Sequence, residues 1–227
     1  MILTPIDSDR LPELLARFAE GLGGGAARAV LGRIARPGSA ERAQGALAAT
    51  HHGAALEVLA RLAMAARPGS PQEDFSWDGR AARADTEAYV LLHEAAHYQL
   101  ASPERRRRID FGLGPGPETG NRSAAAAAAA ASLHGLAVEQ EEAMASLLGI
   151  LWEAELGHPA LASFLDQNWL EGAARPAAAD HFRRTLAALG AGGFITRSGR
   201  PLLTCRSAPD GEDARPYSFT APVRLET

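Results

Sequence analysis

Apolar positions recur at three- and four-residue spacing through most of the chain, and that spacing predicts a protein built largely from helices. Residues 8–22 place Leu11, Leu14, Leu15 and Phe18 on one face, behind Ser8 or Asp9 as an N-cap, and Gly23-Gly24-Gly25 ends the run. A short helix fits residues 26–36, before a turn at Arg36-Pro37-Gly38-Ser39. Residues 40–66 give a longer pattern with Leu47, Leu56, Leu59 and Leu62 as its buried side. Residues 67–80 read as a loop anchored by Phe75 and Trp77. A helix follows at roughly 83–101, where Tyr89, Leu92 and Ala96 mark a half-buried face, and Ser102-Pro103 bounds it. Leu113-Gly-Pro-Gly-Pro117 suits neither a helix nor a central strand. Three more helices fit residues 132–156 (Val138, Met144, Leu147, Leu148, Leu151), 160–170 and 177–189 (Phe182, Leu186, Leu189).

After Gly190 the character changes. Phe194-Ile-Thr, Pro201 to Cys205 and Tyr217 to Leu225 are short β-prone pieces between Gly and Pro turns, which predict a small hairpin, a small sheet or a loosely held tail. The fold class expected is therefore α+β and helix-rich, with a small β element. An N-terminal helical segment would span residues 1–80, a central core 81–190 and the β-prone segment 191–227. At 227 residues the chain is long enough to bury a sizeable core as one domain.

Composition narrows the function classes. The formal net charge is −4, which gives no electrostatic reason to expect nucleic-acid binding. All 23 basic side chains are arginine and none is lysine, a usage that fits codon bias in a GC-rich genome. Cys205 is the single cysteine, so a disulfide within the chain and a cysteine-based zinc site are both excluded. Neither a signal peptide nor a membrane span is apparent, and the cytoplasm is the expected location. Eight alanines, Ala124 to Ala131, read as an insertion or helix extension.

The chemistry concentrates at His93-Glu94-Ala95-Ala96-His97. Histidines four apart project from the same side of a helix and can hold one metal ion, while Glu94 faces an oxygen ligand of that ion. Such a site needs a third ligand. No histidine follows closely, so the candidates are Glu139, Glu141 and Glu142 on a later helix, where glutamates also commonly face solvent. Asp110 either orients a ligand histidine through its second ring nitrogen or caps the next segment as a turn residue. Arg105 to Arg108 reads as a solvated helix face, or alternatively as a docking surface for an acidic partner or a tRNA-like surface. The adjacent His51 and His52 point apart and make a poor ligand pair, and His134, His158 and His181 read as structural. Trp169 suits core packing or the wall of a substrate pocket.

The segment from His93 to Gly172 resembles the elongation factor P hydroxylase family through an ordered series of motifs. They are the H-E-x-x-H with its aromatic follower Tyr98, paired arginines within Arg105–Arg108, and Asp110-Phe111-Gly112 before Pro115 and Pro117. Glu139 and Glu142, Trp152, Gly157-His158-Pro159, and Asp166-Gln-Asn168-Trp-Leu170-Glu171-Gly172 then follow. About 80 of the 227 residues are covered. The polyalanine stretch lengthens the family's spacing, and the first 80 residues match no part of its pattern.

The resemblance implies a metallopeptidase-like active-site helix and one divalent metal ion on His93, His97 and Glu142, with Glu139 as the reserve third ligand. It implies Fe(II) with molecular oxygen as co-substrate, and hydroxylation of a modified lysine on elongation factor P, a protein substrate. Glu94 would act in proton transfer or position an oxygen ligand. The same residues with Zn(II) would suit a peptidase or other hydrolase with Glu94 as general base. A non-catalytic relative that binds a partner through the arginine run is a third expectation.

Overall fold

The computed structural model describes residues 6, 8–69, 75–116, 123–171 and 176–209. Its organising pair is α4 (Ala88–Leu100), the helix of the H-E-x-x-H motif, packed against α6 (Leu136–Leu156). α6 is a central helix because its apolar residues run nearly all the way round from Met144 to Ala154. One face meets α4. Other faces meet α2 (Ala26–Ile34), α7 (Ala160–Asp166) and α8 (Pro176–Ala191). α3 (Gly45–Arg61) also packs on α4, and α1 (Leu11–Leu22) lies against α8. Phe18, Phe164, Phe182 and Trp169 meet edge-to-face or stacked where α1, α7 and α8 converge, and one hydrophobic core runs from Phe18 to Ile195.

The protein is helix-rich with a small β element, as the hydrophobic pattern predicts, but the sheet lies elsewhere. β1 (Ala66–Arg67) and β2 (Ala82–Arg83) pair in parallel, flanking the stretch read as a loop, with Ala66 opposite Ala82. Because residues 82–83 join this sheet, the helix of the H-E-x-x-H motif begins at Ala88 rather than near 83. After α8 the described chain makes only one isolated antiparallel bridge, Ile195 with Pro201. The stretch Tyr217 to Leu225 lies outside the described residues.

Three further expectations change. Ser8–Arg10 is a 3-10 turn leading into α1, and Arg10, not Ser8 or Asp9, holds the N-cap position. Leu47 is exposed, because it sits in the first turn of α3 before that helix reaches the core. The arginine run is not a uniform solvated face. Arg105 is buried, Arg106 Nε donates to the Tyr98 carbonyl, and only Arg107 and Arg108 stand exposed. The polyalanine stretch forms α5 (Ala124–Ala130), which braces the 3-10 turn Ile109–Gly112. Arg108 Nη1 donates to the Ala130 carbonyl, and the amides of Ser132 and Leu133 donate to the Gly112 carbonyl.

Candidate metal centre

His93 and His97 lie one turn apart on α4, and Glu142 reaches them from the first half of α6. The two Nε2 atoms are 3.1 Å apart, and Glu142 Oε2 lies 3.8 Å from that of His93 and 3.5 Å from that of His97. Donors bound to one ion at about 2.0–2.2 Å stand about 3.0–3.5 Å from each other; two of these separations fall in that range, and the 3.8 Å from Glu142 to His93 lies just above it. The three residues form the one His/Cys/Asp/Glu group among the described residues whose donor atoms gather closely enough to hold a metal. Glu139, the reserve ligand, is exposed and not part of this group.

Local packing fixes the imidazoles. Asp110 and Phe111 both adopt left-handed backbone angles (φ 44° and 53°), and Gly112 follows at 71°. Such angles cost an ordinary residue about 1–2 kcal/mol. This turn sets the Phe111 ring against His97 (centroids 5.6 Å, 20° between planes). Trp77 stacks on the far side of Phe111 at 5.1 Å, and its Nε1 donates to the Arg106 carbonyl at 3.0 Å. Below the site, Gln99 Nε2 donates to the carbonyls of Leu202 and Thr204 while Trp152 Nε1 donates to Gln99 Oε1, which ties the segment after α8 to the end of α4.

The ligand atoms face a cleft of about 700 Å³ whose walls include Glu94, Tyr89, Phe111, Asp110 and Trp169. Trp169 serves both roles expected of it: it is buried among aromatic rings and also lines the cleft, with Nε1 donating to Ser146 Oγ at 2.7 Å. Arg42 closes one end. Its guanidinium lies 3.8 Å over the Tyr89 ring and donates to Ser163 Oγ and Asp166 Oδ2, each at 2.8 Å.

Charge at the site is strongly coupled. Burial and the neighbouring His97 hold the His93 imidazole down, at about 4. Burial also pulls His97 down, but Glu142 and Glu141 outweigh it and raise the value to about 10. Burial raises the Glu142 carboxyl, and the two histidines more than offset that and leave it at about 2. His97, facing Glu141 and Glu142, thus favours its charged form, and its neighbour His93 the neutral one. A cation needs all three donors deprotonated, so its binding displaces a proton from His97.

The sequence reading missed the role of Glu141. This residue is fully buried and pairs with buried Arg105, Nη2 to Oε2, at 2.5 Å. Its other oxygen faces His97 Nδ1 at 3.9 Å. Asp110 lines the cleft wall, and a Glu141 oxygen stands 3.9 Å from the second ring nitrogen of His97. A signal was present, because Glu141 continues the buried stripe Met144, Leu148, Leu151 at helical spacing.

Of the remaining histidines, His52 Nε2 lies 2.7 Å from the Ala84 carbonyl, and His51 stacks on His158 at 4.0 Å. His181 stacks on Trp169. Cys205 is half-buried against the core. Among the described residues no helix is long and apolar enough to cross a membrane. No protein-family model matches the chain, and no curated protein or solved structure matches it either.

Proposed function

We propose that this protein is a metal-dependent hydroxylase in which His93, His97 and Glu142 hold one ferrous ion. The observation that carries the reading is the convergence of two Nε2 atoms and one carboxylate oxygen, 3.1–3.8 Å apart, at the floor of an open cleft. A two-histidine, one-carboxylate face with open positions suits ferrous iron, which supplies oxygen activation when bound. The chain's own contributions are distinct. Phe111 fixes the plane of His97 by stacking. Glu94, on the cleft wall beside His93, holds or moves a proton. Tyr89 and Trp169 give the substrate an aromatic wall and restrict water. In this reading α4 is a metallopeptidase-like active-site helix.

The substrate class comes from the resemblance of His93 to Gly172 to the elongation factor P hydroxylases: a modified lysine on that factor, in the cytoplasm, with molecular oxygen as co-substrate. The test is the intact mass of elongation factor P from host cells with and without the gene. The reading expects a one-oxygen gain that disappears on deletion and returns with wild type but not with His93→Ala. An unchanged mass would contradict this substrate.

A second reading keeps the same ligands with zinc and makes Glu94 the general base of a peptidase or other hydrolase. It is supported by Glu94 lining the same cleft as all three ligands. Chelator-sensitive peptide hydrolysis by zinc-loaded protein would favour it. Partner docking through a continuous arginine surface finds less support, since Arg105 is buried in an ion pair and Arg106 is bonded to the Tyr98 and Arg206 carbonyls.

A further inference from the structure

We infer that Glu141, itself held by Arg105, is a positioning residue for His97, fixing which ring nitrogen is presented to the metal. The inference rests on the metal centre proposed above and adds two residues to it. The geometry runs in one line through the imidazole. On one side, His97 Nε2 faces His93 and Glu142. On the other, Nδ1 faces Glu141 Oε1 at 3.9 Å, and Glu141 Oε2 accepts from Arg105 Nη2 at 2.5 Å.

Three observations favour a positioning role over simple packing. First, His97 Nδ1 and Glu141 Oε1 are both buried without a hydrogen bond, and they stand 3.9 Å apart, an ion-pair separation. Second, Glu141 and Arg105 are 0% and 1% exposed. A buried ion pair adds little to stability compared with apolar side chains of the same volume, so packing alone gives no reason for this one. Third, Glu141 is not part of the ligand group, and Arg105 holds its carboxylate away from the metal position. A carboxylate that faces Nδ1–H as an acceptor keeps the proton on Nδ1, leaves Nε2 as the donor atom and makes it a stronger one. With Phe111 stacked on the ring, both the plane and the tautomer of His97 are then set.

The test is a Co(II) titration of the purified protein, read by visible absorption, on wild type, Glu142→Ala and Glu141→Gln. Glu141→Gln keeps the shape and removes the charge. The expected result is tight one-to-one binding by wild type, loss of binding in Glu142→Ala, and binding roughly 10–100-fold weaker in Glu141→Gln with a shifted spectrum. Because Glu141→Gln removes the charge that faces the buried Arg105 guanidinium, the double variant Arg105→Met/Glu141→Leu serves as the folding control. It removes both charges and is expected to melt cooperatively while showing the same loss of affinity. Wild-type affinity and spectrum in either folded variant, with Glu142→Ala still defective, would overturn the inference and leave the metal centre standing. A wild type that takes up no Co(II) would overturn the metal centre and the inference together.

Discussion

Gly149 of α6 lies directly on the backbone of His93: a Cβ at Gly149 would stand 3.2 Å from His93 Cα and 3.3 Å from its amide nitrogen. The close approach belongs to the site, because Glu142 sits two helical turns earlier on the same face of α6. The spacing of the two helices at Gly149 therefore sets how far Glu142 reaches toward the histidines. Alanine in place of glycine gains about 1 kcal/mol of helix propensity. Gly149→Ala is nevertheless expected to lower the melting temperature and weaken metal binding, because backbone rather than a flexible side chain must yield. Gly149→Val should cost about 1–3 kcal/mol by overpacking. Thermal melts with and without metal check both variants, and a more stable Gly149→Ala with unchanged affinity would contradict this reading of the contact.

Phe111 touches both His97 and Trp77. Phe111→Ala should cost about 3–5 kcal/mol by opening a cavity. Phe111→Leu keeps most of the volume and loses the stacking, at about 1–2 kcal/mol. It should bind metal more weakly than wild type while melting only slightly lower. Denaturant titration alongside metal titration separates the two effects.

Glu153 predicts a pH dependence. It is buried, with Arg42 Nη1 3.3 Å from Oε1. Burial pushes its carboxyl up to about 7, despite the opposing contacts with Ser163 and Arg42. The folded state thus binds this proton more tightly than the unfolded chain does. The contribution to stability is fully present below about 4.5, the ordinary value, and is lost as pH rises through about 7. The loss amounts to roughly 3 kcal/mol. Glu153→Gln should flatten that part of the stability-against-pH curve and stand level with or above wild type at pH 8. Urea unfolding at several pH values measures it.

Helical periodicity showed most of the architecture before any coordinates: α1, α2, α6, α7 and α8 lie close to the spans that the apolar spacing predicts. The ligand pair was legible because four-residue spacing on a helix implies a shared side. Glu142 needed the resemblance: the buried stripe marks Glu141 as interior, but nothing local separates Glu142 from Glu139. What sequence could not show depends on contacts far apart in the chain. Arg105 reads as one of four like charges until Glu141, 36 residues on, is brought to it. The β1–β2 pair joins residues on either side of a Pro/Gly-rich stretch, and two-residue strands carry no periodicity to detect. Leu47 shows the opposite failure, a leucine in register with a buried face but beyond the end of its neighbours.

The central claim is that His93, His97 and Glu142 hold one metal ion. The most direct test is the metal content of wild type and His93→Ala after anaerobic loading with Fe(II) and removal of unbound ion. The account predicts one iron per chain in wild type and close to none in a folded His93→Ala. Equal iron in both proteins, or none in wild type, would contradict it.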